Sequence, residues 1–186
     1  IRGGIYMKKG IIILVVAVAI LIFGWLSIYN NLVAKSEKIN QNQAEIDNQL
    51  KRRADLIPNL ISTVKGLSSQ ELKLVQTVTE ARAKMSSGTT QEKLAANDTL
   101  SKSILVLVEN YPVLKSDTAY TGLMDELAGS ENRIANANKV YNDEVGSFNT
   151  KIKTFPSSIV ASVSGFTAKP YLEITETQKE LPNVQF

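Results

Sequence analysis

The sequence contains neither cysteine nor histidine. The absence of cysteine excludes disulfides and thiolate metal sites, and leaves the redox compartment unread. The absence of histidine removes the commonest general base and the commonest metal ligand together. Aromatic residues are sparse at 6%, with a single Trp, and no Gly-rich phosphate loop is present. Neither sign of charge dominates: the net charge is +3, with 21% of residues charged. A nucleic-acid binder shows a broad basic stripe interleaved with aromatics, so no nucleic-acid partner is expected. No cofactor, resident metal or small-molecule substrate is expected, and the chain reads as a non-enzyme.

What is present begins with one apolar run, Ile11 to Ile28, reading IIILVVAVAILIFGWLSI. As a helix it spans ~27 Å, close to the hydrocarbon thickness of a bilayer. Lys8 and Lys9 precede it, and Trp25 and Tyr29 stand at its far end, where amphipathic rings favour the membrane–water boundary. A buried core helix of a small domain would need a polar face, which this run lacks. The exit Gly24–Asn30 offers no small-x-small cleavage site, so residues 7–28 read as an uncleaved signal-anchor. Lys8 and Lys9 favour an inside N-terminus, with the main domain outside a bacterial cytoplasmic membrane crossed once. Residues 1–6 precede Met7 and read as non-native or upstream-translated sequence.

The remaining ~150 residues suffice for one domain. From Tyr29 to Lys65, Leu32, Ile39, Ile46, Arg53 and Leu60 recur at seven, and Ser36, Gln43, Leu50, Ile57 and Val64 fill the alternate spacing. Pro58 predicts a kink or short break, and Gly66 a C-cap. A second helix is expected over Ser69–Met85 with the stripe Leu72, Val75, Val78 or Thr79, Arg82 and Met85. A third runs Gln91–Tyr111, closed by Pro112. The fourth runs Asp117–Phe155. Its seam is Tyr120, Met124, Leu127, Glu131, Ile134, Asn138, Tyr141, Val145, Phe148, Ile152 and Phe155. Pro156 stops it. The expected fold is all-α: a transmembrane helix, then an antiparallel up-down four-helix bundle over 29–156 with two long and two short helices. The tail 157–186 is mostly irregular and packs on the bundle or the membrane surface, with a short helix near Ser158–Val163 and an extended Lys169–Ile174 held by Tyr171. Phe186 holds the chain end in the same way.

Antiparallel pairing of the two long helices aligns their seams when facing residue numbers sum to about 184. Heptad slips align the seams equally well, but only this register sets Arg53 opposite Glu131. Arg53 buried without a carboxylate costs several kcal/mol, so the expectation is a buried Arg53–Glu131 ion pair that locks the register. Near the membrane, the two long helices have no short partners. Val145, Phe148 and Ile152 therefore form a candidate interaction surface for another protomer, a membrane protein or the tail.

Leu50-Lys51-Arg52-Arg53-Ala54-Asp55-Leu56-Ile57-Pro58-Asn59-Leu60 resembles the signature of the bacterial LemA family. So do Tyr29–Val33, Glu80-Ala81-Arg82, Glu109–Lys115, Glu131–Ala135, Tyr141-Asn142, Phe155-Pro156-Ser157 and the closing Val184-x-Phe186. Asn138-Lys139 is a minor departure. The resemblance covers the chain from Met7 onward. It implies a single-pass membrane protein with a helical bundle and a role in envelope organisation, membrane shaping or membrane-protein quality control.

The residues themselves offer little chemistry. Glu109, Glu126, Glu131 and Glu144 lie on helices that could converge, but a di-iron bundle needs histidines. Lys51-Arg52-Arg53 lies ~37 Å along a straight helix from the membrane exit, too far for headgroups of the same membrane. The reading is a scaffold or adaptor acting through a protein partner or homo-oligomer. Two alternatives are a membrane-shaping oligomer, with Ile159–Phe166 in the interface, and a small-ligand sensor.

Overall fold

The computed structural model describes residues 3–63, 69–110 and 118–173. Among them the chain is all-α, with five helices and no strand: α1 Gly3–Thr63, α2 Ser69–Ser86, α3 Thr90–Asn110, α4 Thr118–Lys153 and α5 Ser157–Val163. The Gly66 cap, the pairing of Val64 with Tyr120, the Tyr111–Pro112 helix end and the segments around Ile174 and Phe186 lie outside the described residues.

The apolar run and the first seam are one continuous helix. α1 runs through Pro58 to Thr63 as one helix, so of the expected kink or short break the break does not occur. The Pro58 ring nitrogen has no hydrogen to give to the Ala54 carbonyl one turn back. That carbonyl instead accepts a hydrogen bond from Nε of Arg82 on α2, at 3.2 Å. Arg82 itself is exposed, and Ala81 takes the buried place on α2 between Val78 and Met85. The stripe of α2 keeps Val78 and Met85 as read from the sequence, with Ala81 standing where Arg82 was expected, because the charged head of Arg82 reaches a neighbouring backbone from the rim.

The start of α3 is fixed locally. Gly88 adopts φ +106°, a left-handed conformation that side chains rarely take. Thr89 then caps the helix: its hydroxyl accepts from the Glu92 N–H at 3.3 Å, while the Glu92 carboxylate accepts the Thr89 N–H at 2.7 Å. This reciprocal exchange is a capping box. The Thr89 N–H and hydroxyl both donate to the Glu92 carboxylate and hold it below its ordinary value.

The chain divides into two compact units, Ile1–Ile39 with Glu144–Pro170, and Asn40–Asp143 with Tyr171–Phe186. In the second unit the seam positions of α1 and α4 are buried as the heptads require. Ile46, Leu50, Ala54, Ile57 and Leu60 meet a core shared with Leu127, Ile134 and Tyr141, and with Leu94, Leu100 and Ile104 of α3. In the first unit, Leu32 and Ile39 of α1 and Val145 and Phe148 of α4 are buried together with Val160 and Ala161 of α5.

Candidate functional site

In the second unit a polar cluster sits inside the apolar core. Arg53 projects from α1 and is 3% exposed. Its Nη1 donates to Oδ1 of Asn97 on α3 at 2.6 Å and forms an ion pair with Glu131 of α4. The Asn97 amide donates onward to Oε2 of Glu131 at 3.1 Å, and the Ser101 hydroxyl donates to the same oxygen at 3.2 Å. One carboxylate thus gathers a guanidinium, an amide and a hydroxyl from two other helices. Desolvation pushes Arg53 down from its ordinary value to about 10, so it stays protonated at neutral pH. Asn97 has no exposed surface at all.

A second polar set ties α1 to α3 nearer the rim. Lys93 Nζ lies 3.1 Å from Asp47, the Thr90 hydroxyl donates to Asp47, and Gln43 donates to Thr90 at 3.0 Å. These contacts neutralise charge and order helices. They bring no nucleophile against a base. Among the described residues no three acidic, His or Cys side chains gather into a cation site. The four glutamates are engaged or placed separately: Glu126 with Arg52, Glu131 with Arg53, Glu144 with Lys35, and Glu109 exposed.

The segment after α5 is held by its backbone. In the first unit Asn149 accepts the Lys169 N–H at 2.8 Å and donates to the Lys169 carbonyl at 2.9 Å. In the second unit Asn142 does the same for Leu172, at 2.9 and 2.8 Å. Each carboxamide imitates one rung of a β-ladder. The buried anchor of this segment is Leu172, whereas Tyr171 is exposed.

The family model for the LemA family matches residues 42–186. The chain belongs to the LemA family. The match begins inside α1 and takes in the Arg53–Asn97–Glu131 cluster and both asparagine contacts. Protein LemA of Metamycoplasma hominis is 25% identical over 156 residues, covering 81% of this chain and 71% of that protein. Magnetosome protein MamQ 2 of Paramagnetospirillum magneticum is 30% identical over 70 residues, 38% of this chain. Magnetosome protein MamQ of Magnetospirillum gryphiswaldense is 29% identical over 68 residues, 37% of this chain. The chain spans about a quarter of the length of these MamQ relatives.

For this LemA-family chain the sequence-derived sites separate into those brought together and those not. Arg53 and Glu131 meet. Pro58 lies inside an unbroken α1. Val145 and Phe148 are fully buried within the single chain, where the tail, one of the three expected occupants of this surface, lies against Phe148; Ile152 is half-buried. The physical reason is the tail. The Phe166 ring stands nearly edge-on to Phe148 with centroids 6.2 Å apart, and also meets Tyr29 at 5.9 Å. Phe155, expected in the seam, is 81% exposed, because the helix has ended two residues earlier.

Asn97, Asn142 and Asn149 escaped sequence reading. Asn97 carried one signal: it lies on the same face as Leu94, Leu100 and Ile104, where a surface asparagine would be out of place. Asn142 stood in the family motif Tyr141-Asn142 with no role assigned, and Asn149 carried no signal, since a carboxamide gripping distant backbone imposes no period.

Proposed function

We propose that this chain is a non-catalytic, membrane-anchored scaffold of the bacterial cell envelope, working through a protein partner or through copies of itself. The observation that carries the reading is the continuity of α1. Eighteen residues of apolar run, exposed across most of their side chains, pass without interruption into a helix whose next seam positions are buried. One helix in the described chain is long and apolar enough to cross a membrane. Such a helix needs lipid on its apolar part and a folded domain on the rest. α1, α2, α3 and α4 compose the four-helix bundle, in which the Arg53–Glu131 pair acts as a register lock and not as a reactive centre. The N-terminus lies in the cytoplasm and the bundle outside.

Crosslinking in native membranes followed by mass spectrometry tests the scaffold role. A recurrent partner or a self-crosslink at fixed residues is expected; a pattern that follows protein abundance alone would reject it. Impermeant labelling of Thr99→Cys in intact cells tests orientation, with modification expected from outside.

A second reading, a membrane-shaping oligomer, is favoured by the apolar side chains of Phe155, Ile159 and Val163, which stand exposed. Full-length protein reconstituted into vesicles separates the two: tubulation or a narrowed vesicle size supports shaping, and unchanged vesicles support the scaffold.

A further inference from the structure

The first unit carries a short helix that is apolar on two sides. Val160 and Ala161 of α5 face the interior. Ile159 and Val163, one turn apart, are 52% and 72% exposed, and Phe155, in the turn that precedes α5, is 81% exposed. Ser158 and Ser162 are the polar side chains left between these faces. A helix in water hides one apolar stripe and shows a polar one. α5 shows a second apolar stripe instead.

Its place along α1 is fixed. α5 ends in a Schellman closure: the Phe166 N–H donates to the Ala161 carbonyl at 2.9 Å, the Gly165 N–H to Ser162, and Gly165 takes φ +75°. That turn throws Phe166 back onto Tyr29, the first residue after the apolar run. A second contact gives the same height. Lys35 Nζ donates to the Ser147 hydroxyl at 2.9 Å. With antiparallel helices rising ~1.5 Å per residue, six residues beyond Ser147 brings Lys153, the last residue of α4, level with Tyr29 at the end of the run, and Phe155 follows in the turn. α5 is only ~10 Å long, so its whole exposed stripe lies within reach of the headgroup layer around the span.

The charges agree. From Val145 to Leu172 the chain carries Lys151, Lys153 and Lys169 and no acidic residue. Lysines flanking an apolar stripe are the pattern of a segment lying in an anionic interface.

We infer that Phe155, Ile159 and Val163 form an interfacial contact with the bilayer that holds α1, inserting at the level of the headgroups and seating the first unit on anionic lipid. The inference rests on α1 spanning that bilayer, and the experiment keeps the two apart. The sequence has no native cysteine, so single-cysteine variants of the full chain each carry one spin label. Labels go at Leu21, Ile159, Val163 and Thr99, in vesicles of phosphatidylcholine and phosphatidylglycerol. Collision rates with oxygen, which partitions into lipid, and with a water-soluble nickel chelate report depth.

At 159 and 163 a several-fold loss of nickel collisions relative to position 99 is expected, with oxygen collisions raised. Nickel access at 159 and 163 equal to that at 99, with position 21 protected, overturns the contact and leaves the span intact. Nickel access at position 21 overturns the span itself. Protection at 159 that comes with spin–spin broadening, and is lost on dilution with unlabelled protein, assigns the stripe to a second copy and also overturns the contact.

Discussion

The two units solve the same problem with different materials. The second contains α2 and α3 with parts of α1 and α4, and places charge in its interior: Arg53, Asn97 and Glu131. The first has only two long helices, whose seams leave Phe148 with an open side. There the tail supplies the missing wall through Val160, Ala161 and Phe166. Buried polar groups specify which residues face which, because only one register satisfies them. Apolar and aromatic burial supplies stability but tolerates alternatives. A fold with enough helices can afford specificity in its core; a pair of helices must recruit whatever chain follows them.

The sharpest way to break this contrast is Phe148→Ala. Removing a fully buried aromatic costs about 3–5 kcal/mol. Urea unfolding of the full chain in detergent, read by hydrogen exchange, should show the loss in α5 amides and little in α3 amides. Equal loosening of both would show that the units do not differ in this way. Next comes Glu131→Leu, which leaves a buried guanidinium with only Asn97 and costs about 3–5 kcal/mol. Arg53→Met should cost less, because Glu131 keeps 24% of its side chain exposed and can turn to water. The double variant should recover much of the loss; additive penalties in denaturant titrations would reject the register lock.

Asn149→Ala is smaller, at about 1–3 kcal/mol for a buried backbone pair left unmet. Its mark should be faster proteolysis after Lys169 with the exchange of α3 unchanged. Smallest is Glu92→Gln at the capping box. The folded carboxyl sits below its ordinary value of 4.5, so its stabilisation is present above that value and lost as pH falls through the lowered one. The gap in melting temperature between the two proteins should therefore exist at neutral pH and close in acid. A gap that widens in acid would contradict the capping role.

The helices were legible because their seams repeat. Leu32 to Leu60 and Tyr120 to Phe148 keep a three-four spacing that only packing explains, and the interruption of that spacing by Arg53 and Glu131 marked both. The LemA-family membership was legible in the segment Leu50–Leu60 and the later motifs. The capping box was written in the sequence as Thr89-x-x-Glu92, a spacing that was passed over. What stayed hidden depends on distant backbone. Arg82 reads as a stripe residue until the orphan carbonyl of Ala54 is known to need a donor. Phe148 reads as a contact surface until Gly165 turns Phe166 onto it. Tyr171 outranks Leu172 by size, but the extended chain alternates its faces and puts the smaller residue inward.

The grip of Asn142 and Asn149 on the tail is blind to spelling. Each carboxamide holds an N–H and a carbonyl, which every residue but proline can offer. The letter at 169 can therefore drift freely. Proline at 169 or 172 would erase the rung there, since it has no N–H to give. In this stretch the constraint is a pair of places closed to proline, so it would be seen in forbidden residues and not in shared ones.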